Sequence, residues 1–246
     1  MGALRALKEL AASFDAADVR VLCYHSIQSR QRFAAHMRVI AERGYSVLSM
    51  GQFTEWLNGL KPVQAPAVLL TFDGGYLDQL ENAVPVLQAF SFPATFFPVS
   101  DSLDGEVADA SVMQRNDLLA LAKSGHAIGC HTHSHPNLTG LSVAEIQREV
   151  NGSKQILEDI LGQRVSAFCY PYGARNSLAI SVVRQSGFDV AFTVDLGGVG
   201  FGDAPYELKR VPVLGDPSAG EFSAYLSGAP LLSGGLLLYR KLRERF

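Results

Sequence analysis

Short apolar runs alternate along the chain with longer segments in which apolar residues recur every three or four positions. The runs are VRVLCYH, AVLLTF, ATFFPV, HAIGCH, VSAFCYPYG, DVAFTV and YELKRVPV, and helical patterns such as QRFAAHMRVIAERG separate most of them. Strands that alternate with helices pair in parallel, and continuously apolar strands are buried on both faces. The pattern therefore predicts an α/β fold, a barrel of about seven strand–helix units.

Polar or titratable residues follow most of these strands. In parallel barrels the functional groups lie in the loops after the strands, so we expect the functional site at that end of the barrel. The candidates are His25, Asp73, the segment from His131 to His135, Tyr172, Asp195 and Arg210.

The organisation of the chain predicts a single domain. A length of 246 residues with 48% hydrophobic content suffices for one large core. We assign residues 19–227 to the barrel, residues 1–18 to an N-terminal helical extension and residues 228–246 to a C-terminal helical tail. A membrane-surface contact of this tail is one interpretation; Gly234, Gly235 and Glu244 favour a helix packed on the barrel.

Charge and cysteine content exclude several classes of function. The formal net charge is −3, so the chain lacks the basic field on which nucleic-acid binding depends. The N-terminus has no uncharged core of secretory-signal length, and no apolar run is long enough to cross a bilayer. With only 3 cysteines, these features favour a cytoplasmic protein. The sequence does not determine the oligomeric state.

The segment CHTHSHPNL holds three of the protein's 6 histidines. Pro136 disfavours helical geometry at His135, so the segment is interpreted as a strand that runs into a loop. In an extended segment all three histidines could converge, whereas a turn would direct only His131 and His135 inward. Neutral imidazoles suit zinc, cobalt or nickel. The alternative is a hydrogen-bonded loop that closes one end of the barrel.

Asp73 lies at the mouth of an apolar strand, in LTFDGGY. The sequence DGG is ordinary turn chemistry. A carboxylate that is partly desolvated at a strand end has a raised pKa, which would suit a general base.

The ordered motifs LTFDGGY, HTHSHP and YPYG resemble those of the polysaccharide deacetylase, or NodB homology, family of carbohydrate esterases. The resemblance extends over roughly residues 19–227. It implies a distorted (β/α)7-type barrel and a hydrolase that removes N-acetyl groups from an amino sugar or sugar conjugate with a divalent metal, which we expect to be zinc.

The resemblance also assigns roles at the first two motifs. Asp73 becomes the general base, and His131 and His135 become metal ligands. Gly74 stands where the family has a third, aspartate ligand, so we expect weakened metal binding and activity. Candidates to replace that ligand are His133, a water molecule or Asp73 itself, whereas we expect Asp78 on a helix surface.

At the third motif, Cys169 replaces the arginine that orients the catalytic aspartate in the family. The backbone N–H of Tyr172 is expected to stabilise the oxyanion, with Pro171 and Gly173 beside it at the substrate. Arg210 is a candidate both to supply the missing guanidinium and to contact substrate; the alternative is a rim salt bridge.

The general acid is assigned to His25, because some relatives are circularly permuted so that this histidine comes first in the chain. A histidine hydrogen-bonded at the barrel rim is the alternative. His36 and His126 are expected to be structural. Three hypotheses follow: a metal-dependent deacetylase, a catalytically degenerate member that binds a glycan or glycolipid, and an amide hydrolase that needs little or no metal.

Overall fold

A computed structural model describes residues 19–103 and 112–227 of the chain. The predicted N-terminal extension and C-terminal tail lie outside the described residues, as does the segment 104–111. None of the described helices is both long enough and apolar enough to cross a membrane.

Eight parallel strands form the centre of the molecule. Most of their side chains are buried, as expected for strands covered on both faces. The strands are β1 (Val19–Tyr24), β2 (Ser46–Leu48), β3 (Ala67–Gly74), β4 (Thr95–Pro98), β5 (Ala127–Ile128), β6 (Ala167–Cys169), β7 (Val190–Leu196) and β8 (Leu208–Pro212).

The strand order β5-β4-β3-β1-β8-β7-β6 bends the sheet into a barrel. A parallel bridge between Cys130 and Phe168 joins the segment after β5 to β6, which closes the ring. The short strand β2 lies outside this ring and pairs with the first half of β3. The predicted α/β barrel of about seven units is therefore confirmed, with one additional strand.

Helices cover the outside of the barrel. Several begin at a side-chain cap: Ser142 and Glu145, for example, form a reciprocal capping box. The helices are α1 (Arg30–Glu42), α2 (Met50–Leu57), α3 (Val84–Phe90), α4 (Arg115–Lys123), α5 (Val143–Leu161), α6 (Ser177–Gln185) and α7 (Ala219–Ser227). A π-helical turn, Gln79–Ala83, precedes α3.

Candidate active site

The carboxyl ends of the barrel strands surround a cleft of about 440 Å³. Four strand ends or the loops after them contribute the residues that the sequence singled out, as the barrel topology requires. Among the described residues, the cleft is lined by His25, Asp73, Gly74, Tyr76, Val99, Asp101, Ser102, Val112, His131, Ser134, His135, Tyr170, Tyr172 and Val194. Asp195 instead forms an ion pair with Arg175.

Asp73 forms a buried ion pair with Arg210 at the end of β3. The guanidinium donates to both carboxylate oxygens, with distances of 2.8 Å to Oδ1 and 2.6 Å to Oδ2. Arg210 has no exposed surface, and Nε donates to the carbonyl of Thr193 at 2.7 Å. A bidentate pair of this kind fixes the plane of the carboxylate as well as its position.

Two thiols complete the surroundings of Asp73. Cys23 and Cys169 approach its Oδ2 to 3.4 and 3.3 Å, and Nη2 of Arg210 lies 3.1 Å from the Cys169 sulfur. Burial raises the pKa of both thiols, so they are protonated donors at neutral pH. Arg210 therefore reaches Asp73 across the small side chain of Cys169.

The prediction that partial desolvation raises the pKa of Asp73 is wrong. Burial alone would raise this pKa, but the adjacent Arg210 guanidinium outweighs that effect and holds the pKa well below its usual range. Asp73 is therefore ionised at neutral pH and is a weak proton acceptor.

His131 and His135 direct their rings towards each other. Their Nε2 atoms are 3.1 Å apart, and Nδ1 of His131 donates to the carbonyl of Cys169 at 2.9 Å. This bond fixes the tautomer in which Nε2 of His131 carries a lone pair. Burial lowers the pKa of both rings, to about 4 for His131, so both are neutral at pH 7.

The middle histidine does not join this pair. His133 approaches the Ser100 hydroxyl at 3.0 Å through Nδ1 and Asp101 at 3.7 Å through Nε2. The turn therefore directs only the outer two histidines inward. The suggestion that His133 replaces the missing metal ligand is wrong, because its ring contacts Ser100 and Asp101 instead. Asp78 is hydrogen-bonded to Ser26, in keeping with its expected place outside the metal site.

His25 lies beside Asp73 at the end of β1. One ligand atom each of Cys23, His25 and Asp73 lie within 4.8 Å of one another. Burial lowers the pKa of His25, although the Asp73 carboxylate partly opposes that effect. The side-chain amide of Gln79 donates to the backbone carbonyls of His25, at 3.0 Å, and Asp73, at 2.7 Å, and so ties the two strand ends together.

Gly74 adopts a conformation that favours glycine. Its φ is +90°, and a Cβ atom added there would lie 2.5 Å from Cε2 of Tyr76. The Tyr76 ring therefore covers the place from which a side chain at position 74 would enter the cleft.

The turn after β6 presents Tyr172 to the cleft. Tyr172 has φ +58° and lies edge-on to the His135 ring, with 4.7 Å between ring centroids. Pro171 and Gly173 are buried and shape this turn. Gly173 leaves no room for a side chain, because an added Cβ would lie 2.5 Å from the side chain of Val194.

Two further outcomes concern residues away from the cleft surface. Direct substrate contact does not fit a fully buried Arg210, so we correct that assignment to the other predicted role, orientation of Asp73. His36 and His126 are buried in aromatic surroundings, which fits their expected structural role. Sequence reasoning missed Cys23 and Gln79; the position of Cys23, two residues before His25 on an apolar strand, was the one available signal.

The residues present fit a divalent cation. The Nε2 atoms of two histidines face each other and could both be ligands. The tautomer of one of these histidines is fixed by a backbone carbonyl, as is common for metal-bound imidazoles. Asp73, His131 and Cys169 also each offer one ligand atom within 4.8 Å of the others. Among the described residues, Asp73 is thus the carboxylate that lies within reach of an ion held by His131.

A solved structure has the same fold. Deacetylase PplD of Streptococcus pyogenes, solved with acetate, superposes with a TM-score of 0.78 at 21% identity, over 85% of this chain and 97% of that one. At this identity the likeness concerns the fold: the protein has the barrel of the deacetylase structures.

The sequence comparisons identify the family. The family model described as polysaccharide deacetylase matches residues 60–191, more than half of the chain. The chain therefore belongs to the polysaccharide deacetylase family, and this membership, with an N-deacetylase among its relatives, supports a hydrolase that acts on amide bonds.

Two curated relatives agree with this assignment. Bacillus subtilis (strain 168) YxkH is 29% identical over an alignment of 217 residues, and the match covers 85% of this chain and 76% of that protein. The poly-β-1,6-N-acetyl-D-glucosamine N-deacetylase of Escherichia coli (strain K12) is 27% identical over 250 residues, covering 85% of this chain and 36% of the enzyme. This chain thus spans about a third of the length of the E. coli relative.

Proposed function

We propose that the protein is a metal-dependent deacetylase that removes the N-acetyl group from an amino sugar within a glycan. One observation carries the proposal: the facing Nε2 atoms of His131 and His135, 3.1 Å apart, open into the same cleft as the ion-paired carboxylate of Asp73. The family membership and the named substrate of the E. coli relative support the choice of an acetylated glucosamine.

His131 and His135 would hold the cation, with zinc as the best match to two imidazoles and a nearby carboxylate. When bound, such a cation polarises the acetyl carbonyl and acidifies a water molecule. Because Gly74 offers no side chain, we propose a weaker metal site than one with an aspartate at that position.

The protein's own residues would move the protons. Asp73, held by Arg210, accepts a hydrogen bond from the attacking water and orients it towards the carbonyl carbon. His25 is neutral at pH 7 because burial lowers its pKa, so it takes up the proton that the water loses. The same histidine then returns this proton to the leaving nitrogen, which departs as an amine. The acetic acid formed from the acetyl group gives its own proton to this amine, so the products are an ammonium group and acetate.

Tyr172 would border the acetyl group from beside His135. We propose that its backbone N–H donates to the oxyanion, in a turn whose shape Pro171 and Gly173 enforce. An exposed tyrosine ring at the rim also suits the apolar face of a pyranose.

Acetate release from N-acetylglucosamine oligomers tests the proposal. We expect zinc-dependent release by the wild-type protein and a loss of about 100-fold or more in Asp73→Asn and His131→Ala. Asp159→Asn is a matched control, because its carboxylate pairs with Gln155 on helix α5. Release that a chelator leaves unchanged would contradict the proposal and favour an amide hydrolase that needs no metal.

A glycan-binding protein without activity is the second candidate, and Gly74 is the observation that favours it. The glycine conformation and the overlying Tyr76 ring leave position 74 without a ligand. Oligomer binding by calorimetry, together with no acetate release at saturating zinc, would establish this alternative.

A further inference from the structure

The loop that carries the histidine pair has an unfavourable backbone. Thr132 and His135 have φ values of +66° and +60°, in the left-handed region. This conformation is rare for a β-branched residue such as Thr132, and it strains the backbone there. The loop therefore needs contacts outside itself to keep this shape.

Glu149 on helix α5 provides three such contacts. Its Oε2 accepts the backbone N–H groups of His133, at 3.0 Å, and Ser134, at 2.8 Å, and its Oε1 accepts the Ser134 hydroxyl at 2.7 Å. Charge-assisted bonds of this kind are about twice as strong as neutral ones. A single carboxylate thus holds the middle of the loop, between the two histidines.

Backbone groups on the other side of the loop also hold it in place. The backbone N–H groups of Ser100 and Asp101 donate to the carbonyls of Thr132, at 3.2 Å, and His133, at 2.9 Å. Within the loop, the Thr132 hydroxyl accepts the N–H of His135 at 3.0 Å. The loop is thus held from two sides, by Ser100 and Asp101 on one side and by the Glu149 side chain of helix α5 on the other.

We propose that Glu149 is a positioning residue of the histidine pair: it holds the strained loop so that His131 Nε2 and His135 Nε2 face each other before any ion binds. The inference rests on the proposed function for its metal, but the arrangement that Glu149 maintains belongs to the metal-free protein. Loss of the carboxylate would let Thr132 and His135 relax, and the two rings would separate.

Cobalt(II) titration of metal-free protein, followed by visible absorption, is the first test. Partners that orient metal ligands typically change metal affinity by about 10–100-fold when removed, and we expect a loss in this range for Glu149→Ala. Glu149→Gln keeps one oxygen acceptor and should lose less. Glu145→Gln is the matched control: this residue lies one turn earlier on α5 and caps its own helix. Wild-type cobalt affinity in Glu149→Ala would overturn the proposal.

Histidine ring NMR of the metal-free protein is the second test, and it separates this proposal from the proposed function. We expect the wild-type spectrum to show His131 as the Nδ1–H tautomer with Nε2 hydrogen-bonded to His135, and Glu149→Ala to lose that hydrogen bond. An unchanged ring spectrum in Glu149→Ala overturns the positioning role. A wild-type protein that binds no cobalt contradicts the metal-dependent function, while the ring spectra still decide the role of Glu149.

Discussion

The two halves of the candidate active site are held in place by different means. Asp73 lies at the end of a core strand, where a fully buried Arg210 bonds both of its oxygens. His131 and His135 flank a loop with left-handed residues, which Glu149 holds from the surface helix α5. The carboxylate is thus fixed by the core and the imidazoles by a local hydrogen-bonded clamp.

This difference predicts two kinds of response to mutation. Changes around Asp73 should cost folding free energy, because an uncompensated charge would be left in the core. Changes at Glu149 should cost ligand affinity with little loss of stability, because its contacts to the loop lie at the partly exposed His133 and the exposed Ser134.

Arg210→Leu should have the largest effect. Removal of one partner of a buried ion pair costs about 3–5 kcal/mol of unfolding free energy, since the Asp73 carboxylate would be left without its counter-charge. Urea denaturation of the metal-free protein measures the loss.

The double variant Asp73→Asn/Arg210→Leu sharpens this prediction. Without the carboxylate there is no unpaired charge, so the double variant should be more stable than Arg210→Leu alone. A single variant with wild-type stability would show that the core does not depend on the ion pair.

Substitutions at Gly74 should have an intermediate effect. A side chain at φ +90° costs about 1–2 kcal/mol, and the partly exposed Tyr76 ring must rotate away. Gly74→Asp and Gly74→Ala share this backbone cost, but only the aspartate brings a carboxylate towards the histidine pair. We expect calorimetry to show tighter zinc binding in Gly74→Asp alone.

Equal zinc affinity in both Gly74 variants would contradict the interpretation of position 74 as a missing ligand. Tighter binding together with faster acetate release in Gly74→Asp would show that Gly74 limits the activity.

Substitution of His126 should have the smallest effect on the free energy of unfolding. It tests how far a buried histidine of the core lowers stability in acid. Both of its ring nitrogens are buried without a hydrogen-bond partner among the described residues, and burial lowers its pKa below the ordinary 6.5. Well above pH 6.5 the His126 ring is neutral in the folded and in the unfolded state. As the pH falls below 6.5, the unfolded state takes up a proton first, so the free energy of unfolding decreases.

His126→Phe should therefore flatten the loss of unfolding free energy between about pH 7 and about pH 5, because Phe packs against Phe96 and does not titrate. Urea denaturation at both pH values measures the change. An unchanged pH dependence would show that other groups account for the whole acid response.

The sequence predicted the barrel well because its strands are long apolar runs with polar residues at their ends. It did not predict β2, because Ser46–Leu48 is too short to form a recognisable apolar run. The helix that follows it, α2, was not predicted either. His25, Asp73, His131, His135 and Tyr172 line one cleft, because strand ends in a parallel barrel meet at one edge.

The pairwise contacts could not be predicted. The pKa of Asp73 depends on whether desolvation or Arg210 prevails, and Arg210 is separated from Asp73 by 137 positions in the chain. Likewise, nothing in HTHSH indicates which histidines turn inward; that follows from the left-handed φ values of Thr132 and His135 and from the Glu149 contacts.

Zinc titration of the metal-free protein by calorimetry, with His131→Ala as the comparison, tests the central claim most directly. The facing imidazoles and Asp73 predict one zinc per chain in the wild-type protein, and no binding at that site in the variant. Equal binding in both proteins, or none in either, would contradict the assignment of His131 and His135 as the metal-holding pair.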